Sequence, residues 1–212
     1  MRTMTMGRRR AGLRMLVAIV VVAVVVAAVP GPPAMAFDAD ARFAQGTKIF
    51  GLQIGGGAVN NVEEQATVSD IAFVNVTPRI SYLLFKPFGS GWLRSAVEPG
   101  LEGWFQHYVS PASANAGGLK LALRYHFIAF GRLVPYVEIT GGAGGTNLKV
   151  PEIRSRFTFV AEAGAGLSYF ITDEVALSAG YRFQHISNGD TSTPNRGFNS
   201  DSGVIGVSFY FK

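Results

Sequence analysis

Leu119-Lys120-Leu121-Ala122-Leu123-Arg124-Tyr125-His126-Phe127 is the stretch that decides the fold. Its odd positions are large and apolar, and its even positions are basic, small or imidazole. That period of two belongs to a strand with two unlike faces. The pattern returns at Phe157, Phe159, Ala161, Ala163, Ala165, Leu167 and Tyr169, opposed by Thr158, Val160, Glu162, Gly164, Gly166 and Ser168. Leu93, Val97, Leu101 and Phe105 oppose Arg94, Glu98, Glu102 and Gln106, and further alternating runs fall at about 47–58, 71–85, 133–144, 174–187 and 203–211. Eight strands are expected, with no segment after residue 36 long and apolar enough to cross a bilayer as a helix.

The polar faces of these strands carry Arg79, Arg94, Lys120, Arg124 and Arg182 against Glu98, Glu102, Glu138 and Glu162. In a soluble sandwich such a face would look at water. The connections argue for the inverse arrangement: 59–70, 109–116, 145–156 and 188–202 read as long and polar, 86–91, 128–132 and 171–173 as short. Short turns at one end and longer loops at the other mark a transmembrane barrel with apolar side chains toward lipid. The expected fold is therefore an eight-stranded antiparallel up-and-down transmembrane β-barrel. Such a barrel is too narrow for an aqueous channel, so its inward charges should pair into a filling network. Tyr82, Phe85, Trp92, Phe105, Tyr108 and Phe170 suit aromatic girdles, whereas Trp104 falls on the inward parity.

Composition sets the compartment. Residues 1–36 hold five arginines and no acid, leaving 14 of the 19 basic side chains against 14 acidic ones in the rest. The basic excess thus sits in a segment with an arginine-rich start, an apolar run and the Ala34-Met35-Ala36 pattern of a secretory signal peptide. Residues 1–36 are expected to be cleaved and 37–212 to form a single barrel domain. A retained anchor is the alternative. The neutral remainder gives no reason for a nucleic-acid partner, and the absence of cysteine leaves no disulfide framework.

Strand seven, ending Tyr181-Arg182-Phe183-Gln184-His185-Ile186-Ser187, puts His185 and Ser187 on its apolar, lipid-facing parity. Residues two apart on a strand share one face at roughly 6.5–7 Å, near enough for an imidazole to reach a hydroxyl. With both termini periplasmic this strand ends at the cell surface. The pair then lies at the outer-leaflet rim, where a lipid ester is the natural substrate. The competing reading makes His185 a girdle residue and Ser187 the start of a loop.

The run from Tyr181 to Gly189, followed by Pro194-Asn195-Arg196-Gly197-Phe198-Asn199, resembles the outer-membrane lipid A 3-O-deacylases of the acyloxyacyl hydrolase type, in the pattern His-x-Ser-Asn then Pro-Asn-x-Gly. The resemblance implies an eight-stranded barrel whose active site faces lipid. It implies Ser187 as nucleophile and His185 as general base, with Asn188, Gly189 and Asn195 as candidates for binding the oxyanion. In the best-known relatives a glutamate stands where this chain has Asn199, so Asn199 and Asp201 are alternative orienting residues. The implied reaction is hydrolysis of the 3-O-acyl ester of lipid A (lipopolysaccharide) in the outer leaflet, releasing a 3-hydroxy fatty acid without cofactor. A non-catalytic structural or adhesive barrel and an outer-membrane phospholipase are the alternatives, and a homodimer is compatible with the sequence.

Other candidates fit less well. His107 has outward parity but no serine two residues away, and His126 has inward parity. Gly55–Gly57 and Gly141–Gly145 lack the form of a phosphate loop. Three dispersed histidines offer no metal-ligand spacing. Lys149, Arg154, Arg156 and Arg196 read as solvated loop charge or as contacts to lipid A phosphates.

Overall fold

Eight antiparallel strands close on themselves in sequence order, β1 pairing with both β2 and β8. The computed structural model describes residues 37–60, 69–194 and 196–212. The expected signal peptide and Asn195 lie outside them. The strands are β1 Lys48–Val59, β2 Ala72–Tyr82, β3 Ser95–Ser110, β4 Ala114–Phe127, β5 Leu133–Thr146, β6 Phe157–Phe170, β7 Val175–Ser187 and β8 Phe198–Phe211. Among the described residues no helix is long and apolar enough to cross a membrane. The apolar belt is instead carried by the strands: Leu121 is 72% exposed and Ile139 60%, while Lys120 is 1% exposed. A large hydrophobic side chain outside and a charge inside is the reverse of a soluble domain, and only lipid makes that arrangement favourable.

Closure abolishes sheet edges and satisfies the backbone without water. The lumen then has to satisfy its own charges. Arg182 bonds Glu138 (2.7 Å), Glu102 (3.0 Å), Glu162 (3.3 Å) and the Gln53 amide oxygen (2.8 Å). Arg79 bridges Glu98, Glu102 and Glu138, and Arg124 joins Glu138 at 2.8 Å. Lys120 holds Glu162 (2.6 Å) and Glu102 (2.9 Å), and His126 Nε2 meets Glu98 at 2.7 Å. Buried charges persist only when paired and hydrogen-bonded, which four cations against four carboxylates achieve.

Arg94 is not part of this network. It precedes β3 and binds Asp40 at 2.6 Å, half-exposed, because the strand alternation starts only at Ser95.

Two apolar plugs seal the ends of the charged layer. At the end holding Phe37 and Lys212, Asp38 caps a short helix, α1 (Ala39–Arg42), its Oδ1 accepting from Ala41 N at 3.0 Å. The chain leaving α1 drives Phe43 into the lumen, 4.7 Å from the His126 ring and edge-on to Phe170 and Tyr210. At the far end Trp104, Tyr108, Ile186 and Phe198 pack beneath Leu148, Val150 and Ile153 of the β5–β6 loop. Tyr108 and Phe170 therefore fill plugs rather than girdles, having the even, inward parity of their strands, whereas Tyr82, Phe85, Trp92 and Phe105 are exposed.

Loop lengths depart from expectation in three places. Alternation continues through Gln106–Ser110 and resumes at Ala114, so residues 111–113 alone connect β3 and β4. The short turn expected at 86–91 is a longer connection, residues 83–94, with a 3-10 turn at Gly91–Leu93. Strand β8 begins at Phe198, pulled into the sheet by its pairing with Ile186.

Candidate active site

Along β7 the side chains of Arg182, Gln184 and Ile186 enter the lumen, so Phe183, His185 and Ser187 face outward. Register does the rest. His185 lies directly opposite Asn199 on β8, and His185 Nδ1 is 2.7 Å from Asn199 Oδ1. An amide oxygen only accepts, so Nδ1 carries the proton and Nε2 presents its lone pair. Ser187 is half-buried beside Phe159 of β6, two residues further along the same face. Among the described residues its hydroxyl makes no hydrogen bond. Such contacts commonly close only with substrate present.

Gly197 covers the free edge of the imidazole. Its φ is +63°, and a Cβ there would stand 3.0 Å from His185 Cε1, 3.3 Å from Nε2 and 2.8 Å from the Ile186 carbonyl oxygen. Both the backbone conformation and the space demand glycine. Gly197→Ala is expected to lower kcat/KM on a lipid ester by about tenfold or more if His185 has the general-base role expected from the sequence, since small displacements of such a group are costly, while the barrel's heat-modified gel shift stays as in the wild type. An unchanged rate would remove Gly197 from the site.

The remaining candidates separate. Asp201 sits opposite Phe183, one repeat of the face below Asn199, and its Oδ1 accepts from Tyr181 Oη (2.5 Å) and Asn60 Nδ2 (2.8 Å). It does not reach His185. Asn60 also donates its backbone N–H to the Asn199 carbonyl at 3.0 Å, fixing the strand segment that carries the orienting amide. Sequence reading gave Asn60, Tyr181 and Gly197 no role; the glycine in the Pro-Asn-x-Gly run was the available signal. Asn188 is fully buried, its Nδ2 donating to Ser192 O (2.8 Å), Ser192 Oγ (3.1 Å) and Pro194 O (3.1 Å). Its side-chain donors are spent on shaping the loop that follows β7. Gly189, at φ +59°, brings the chain across the Phe159 ring, where a Cβ would approach Cε2 to 2.7 Å.

A partial copy of this arrangement lies across the barrel. His107 on β3 faces outward opposite Asn115 on β4, with His107 Nδ1 2.9 Å from Asn115 Oδ1. Two residues on stands Val109 where the first site has Ser187. The second imidazole has the same amide contact and no serine two residues on.

Residues 80–208 match the family described as lipid A 3-O-deacylase (PagL), a span that runs from β2 through β8 and includes His185, Ser187 and Asn199. The chain belongs to that family. Its fold is similar to the crystal structure of the outer membrane enzyme PagL, with a TM-score of 0.55 and 17% identity over 74% of this chain and 97% of that one. It is equally similar in fold to Neisserial surface protein A, at a TM-score of 0.56 and 13% identity over 79% of this chain and 100% of the other. No curated protein matches the sequence. Family and neighbours place the chain among outer-membrane β-barrels, whereas the PagL-type activity of this site rests on its own residues.

Proposed function

We propose that this member of the PagL family hydrolyses the 3-O-acyl ester of lipid A by a serine–histidine mechanism. The observation that carries the reading is the 2.7 Å bond between His185 Nδ1 and Asn199 Oδ1, which leaves the Nε2 lone pair unused on the outward face that also carries Ser187. His185 Nε2 takes the Ser187 proton as Oγ attacks the ester carbonyl carbon. The oxyanion rests on donors of the Asn188–Gly189 turn, and Asn195, outside the described residues, is the side-chain candidate for the same task. Collapse expels the sugar 3-oxygen, which takes the proton from the imidazolium. Water then attacks the acyl-enzyme and releases the 3-hydroxy fatty acid, with no cofactor in either step. Residues 1–36 direct export and are removed before Phe37. All three side chains belong to one barrel, so the reaction requires no second copy.

Asn199 orients the ring but brings no charge to stabilise the imidazolium. Changing Asp to Asn in the serine-protease triad costs about 10⁴ in kcat, and cysteine proteases nonetheless work with asparagine. Asn199→Ala should therefore lower kcat about tenfold, the worth of one neutral hydrogen bond. Asn199→Glu should raise it by a similar factor, because a charged acceptor binds imidazolium more strongly. Asp201→Asn should leave kcat within about threefold of wild type, since its contacts are to Tyr181 and Asn60. Rates on purified lipid A in detergent decide these rankings. A large loss in Asp201→Asn with none in Asn199→Ala would exchange the two roles.

The uncharged residue at 199 also favours a second reading, a family member that has kept the barrel and lost catalysis. An inactive wild type made active by Asn199→Glu would establish it.

A further inference from the structure

At the far end of the barrel one buried residue, Glu152, ties three loops together through its carboxylate and its backbone carbonyl. Glu152, fully buried in the β5–β6 loop, accepts from Ser69 N (2.9 Å) and Ser69 Oγ (2.8 Å), and its backbone carbonyl accepts from Arg196 N at 3.1 Å. Val150 and Ile153 bond each other across a tight turn, each N–H donating at 3.2 Å, and bury their side chains with Leu148 over the lumen. That packing turns the alternate residues outward. Lys149, Pro151 and Arg154 are exposed, and with Val150 they line a cavity of about 470 Å³. Arg196 is exposed alongside, immediately before the Gly197 that covers His185.

Lys149, Arg154 and Arg196 share with Lys48, Lys86, Arg156 and Lys212 the lack of a carboxylate partner among the described residues, in contrast to the remaining described cations. Arg42, Arg94 and Arg132 each hold a carboxylate at the surface, and the lumen cations are all paired. Like charges gathered on a fixed turn repel one another, and an anion offsets that cost through charge-assisted hydrogen bonds, bidentate where arginine meets a phosphate. The buried Glu152 anchor means that little ordering remains to be done when the anion arrives. The head group of lipid A is a phosphorylated glucosamine disaccharide, and the ester under attack is bonded directly to that sugar.

We propose that Lys149, Arg154 and Arg196 form a phosphomonoester subsite that holds a head-group phosphate while the 3-O-ester reaches Ser187, an inference resting on the deacylase reading above. The phosphate comes either from the substrate or from a neighbouring lipid.

Binding separates this from catalysis. In a Ser187→Ala background, calorimetric titration in detergent should show lipid A bearing its phosphates binding about tenfold or more tightly than the same lipid after phosphatase treatment, each lost charge-assisted contact being worth roughly that factor. In Ser187→Ala/Lys149→Gln/Arg154→Gln the ratio should fall by about tenfold or more, with the heat-modified gel shift unchanged because both side chains are exposed. Dephosphorylated lipid A in micelles containing phosphatidic acid identifies the source. Tighter binding there assigns the phosphate to a neighbouring lipid, and no tightening assigns it to the substrate, both within the proposal. A ratio near one before substitution, or a ratio that survives the double substitution, overturns the subsite. Wild-type protein that fails to deacylate while the ratio holds overturns the deacylase reading and leaves the subsite standing.

Discussion

Ser187→Ala and His185→Ala are each expected to reduce lipid A deacylation by at least about 10⁴-fold, because removing a nucleophile or its base eliminates the covalent route and leaves only binding and oxyanion stabilisation. Neither change should harm folding. His185 is exposed, and Ser187 makes no side-chain hydrogen bond among the described residues, so neither belongs to the plugs or the charged layer. The check is a rate on purified lipid A together with the heat-modified gel shift of each variant. Because the two residues act as a unit, the double variant should be scarcely slower than either single one. Independent, multiplying losses would place them in separate steps.

Arg182→Met is expected to have the largest effect on stability. Arg182 is 1% exposed and touches Glu102, Glu138, Glu162 and Gln53. Its removal leaves four buried carboxylates facing three cations between two apolar plugs, and breaking a buried ion pair in this way costs about 3–5 kcal/mol. Arg94→Met provides the contrast. It breaks a pair whose members are 33% and 56% exposed, worth about 0–1 kcal/mol. Urea unfolding of the barrels in lipid vesicles should therefore show a large fall in midpoint for Arg182→Met and little for Arg94→Met. Similar midpoints would mean that water enters the lumen and screens the network.

The barrel was legible because its two faces differ so sharply: Leu119, Leu121 and Leu123 against Lys120 and Arg124 leave no ambiguity of period or of face. Where contrast fades, so does legibility. Ala112–Gly118 consists of small residues without an apolar and a polar side, and there the strand ends were misplaced. Helix α1 is too short to have a period, and its role comes from what Phe43 meets inside the barrel.

At the site, parity sufficed to put His185 and Ser187 on one outward face. It could not choose between Asn199 and Asp201, which share a face and differ by one repeat. The choice depends on the β7–β8 register, fixed by the loop that folds around Asn188 and by the seating of Ile186 against Phe198. Those are tertiary facts that no local pattern encodes. Gly197 is similar: its need to be glycine is set by an imidazole that the sheet brings beneath it.

Mass spectrometry of lipid A from cells lacking the protein, cells making it and cells making Ser187→Ala tests the central claim most directly. The account predicts that the wild-type protein alone removes one 3-hydroxyacyl group, from the 3-position, and that the Ser187→Ala lipid is indistinguishable from that of cells without the protein. Unchanged lipid A in cells with folded wild-type barrel in the outer membrane, or the same loss in the Ser187→Ala cells, would contradict it.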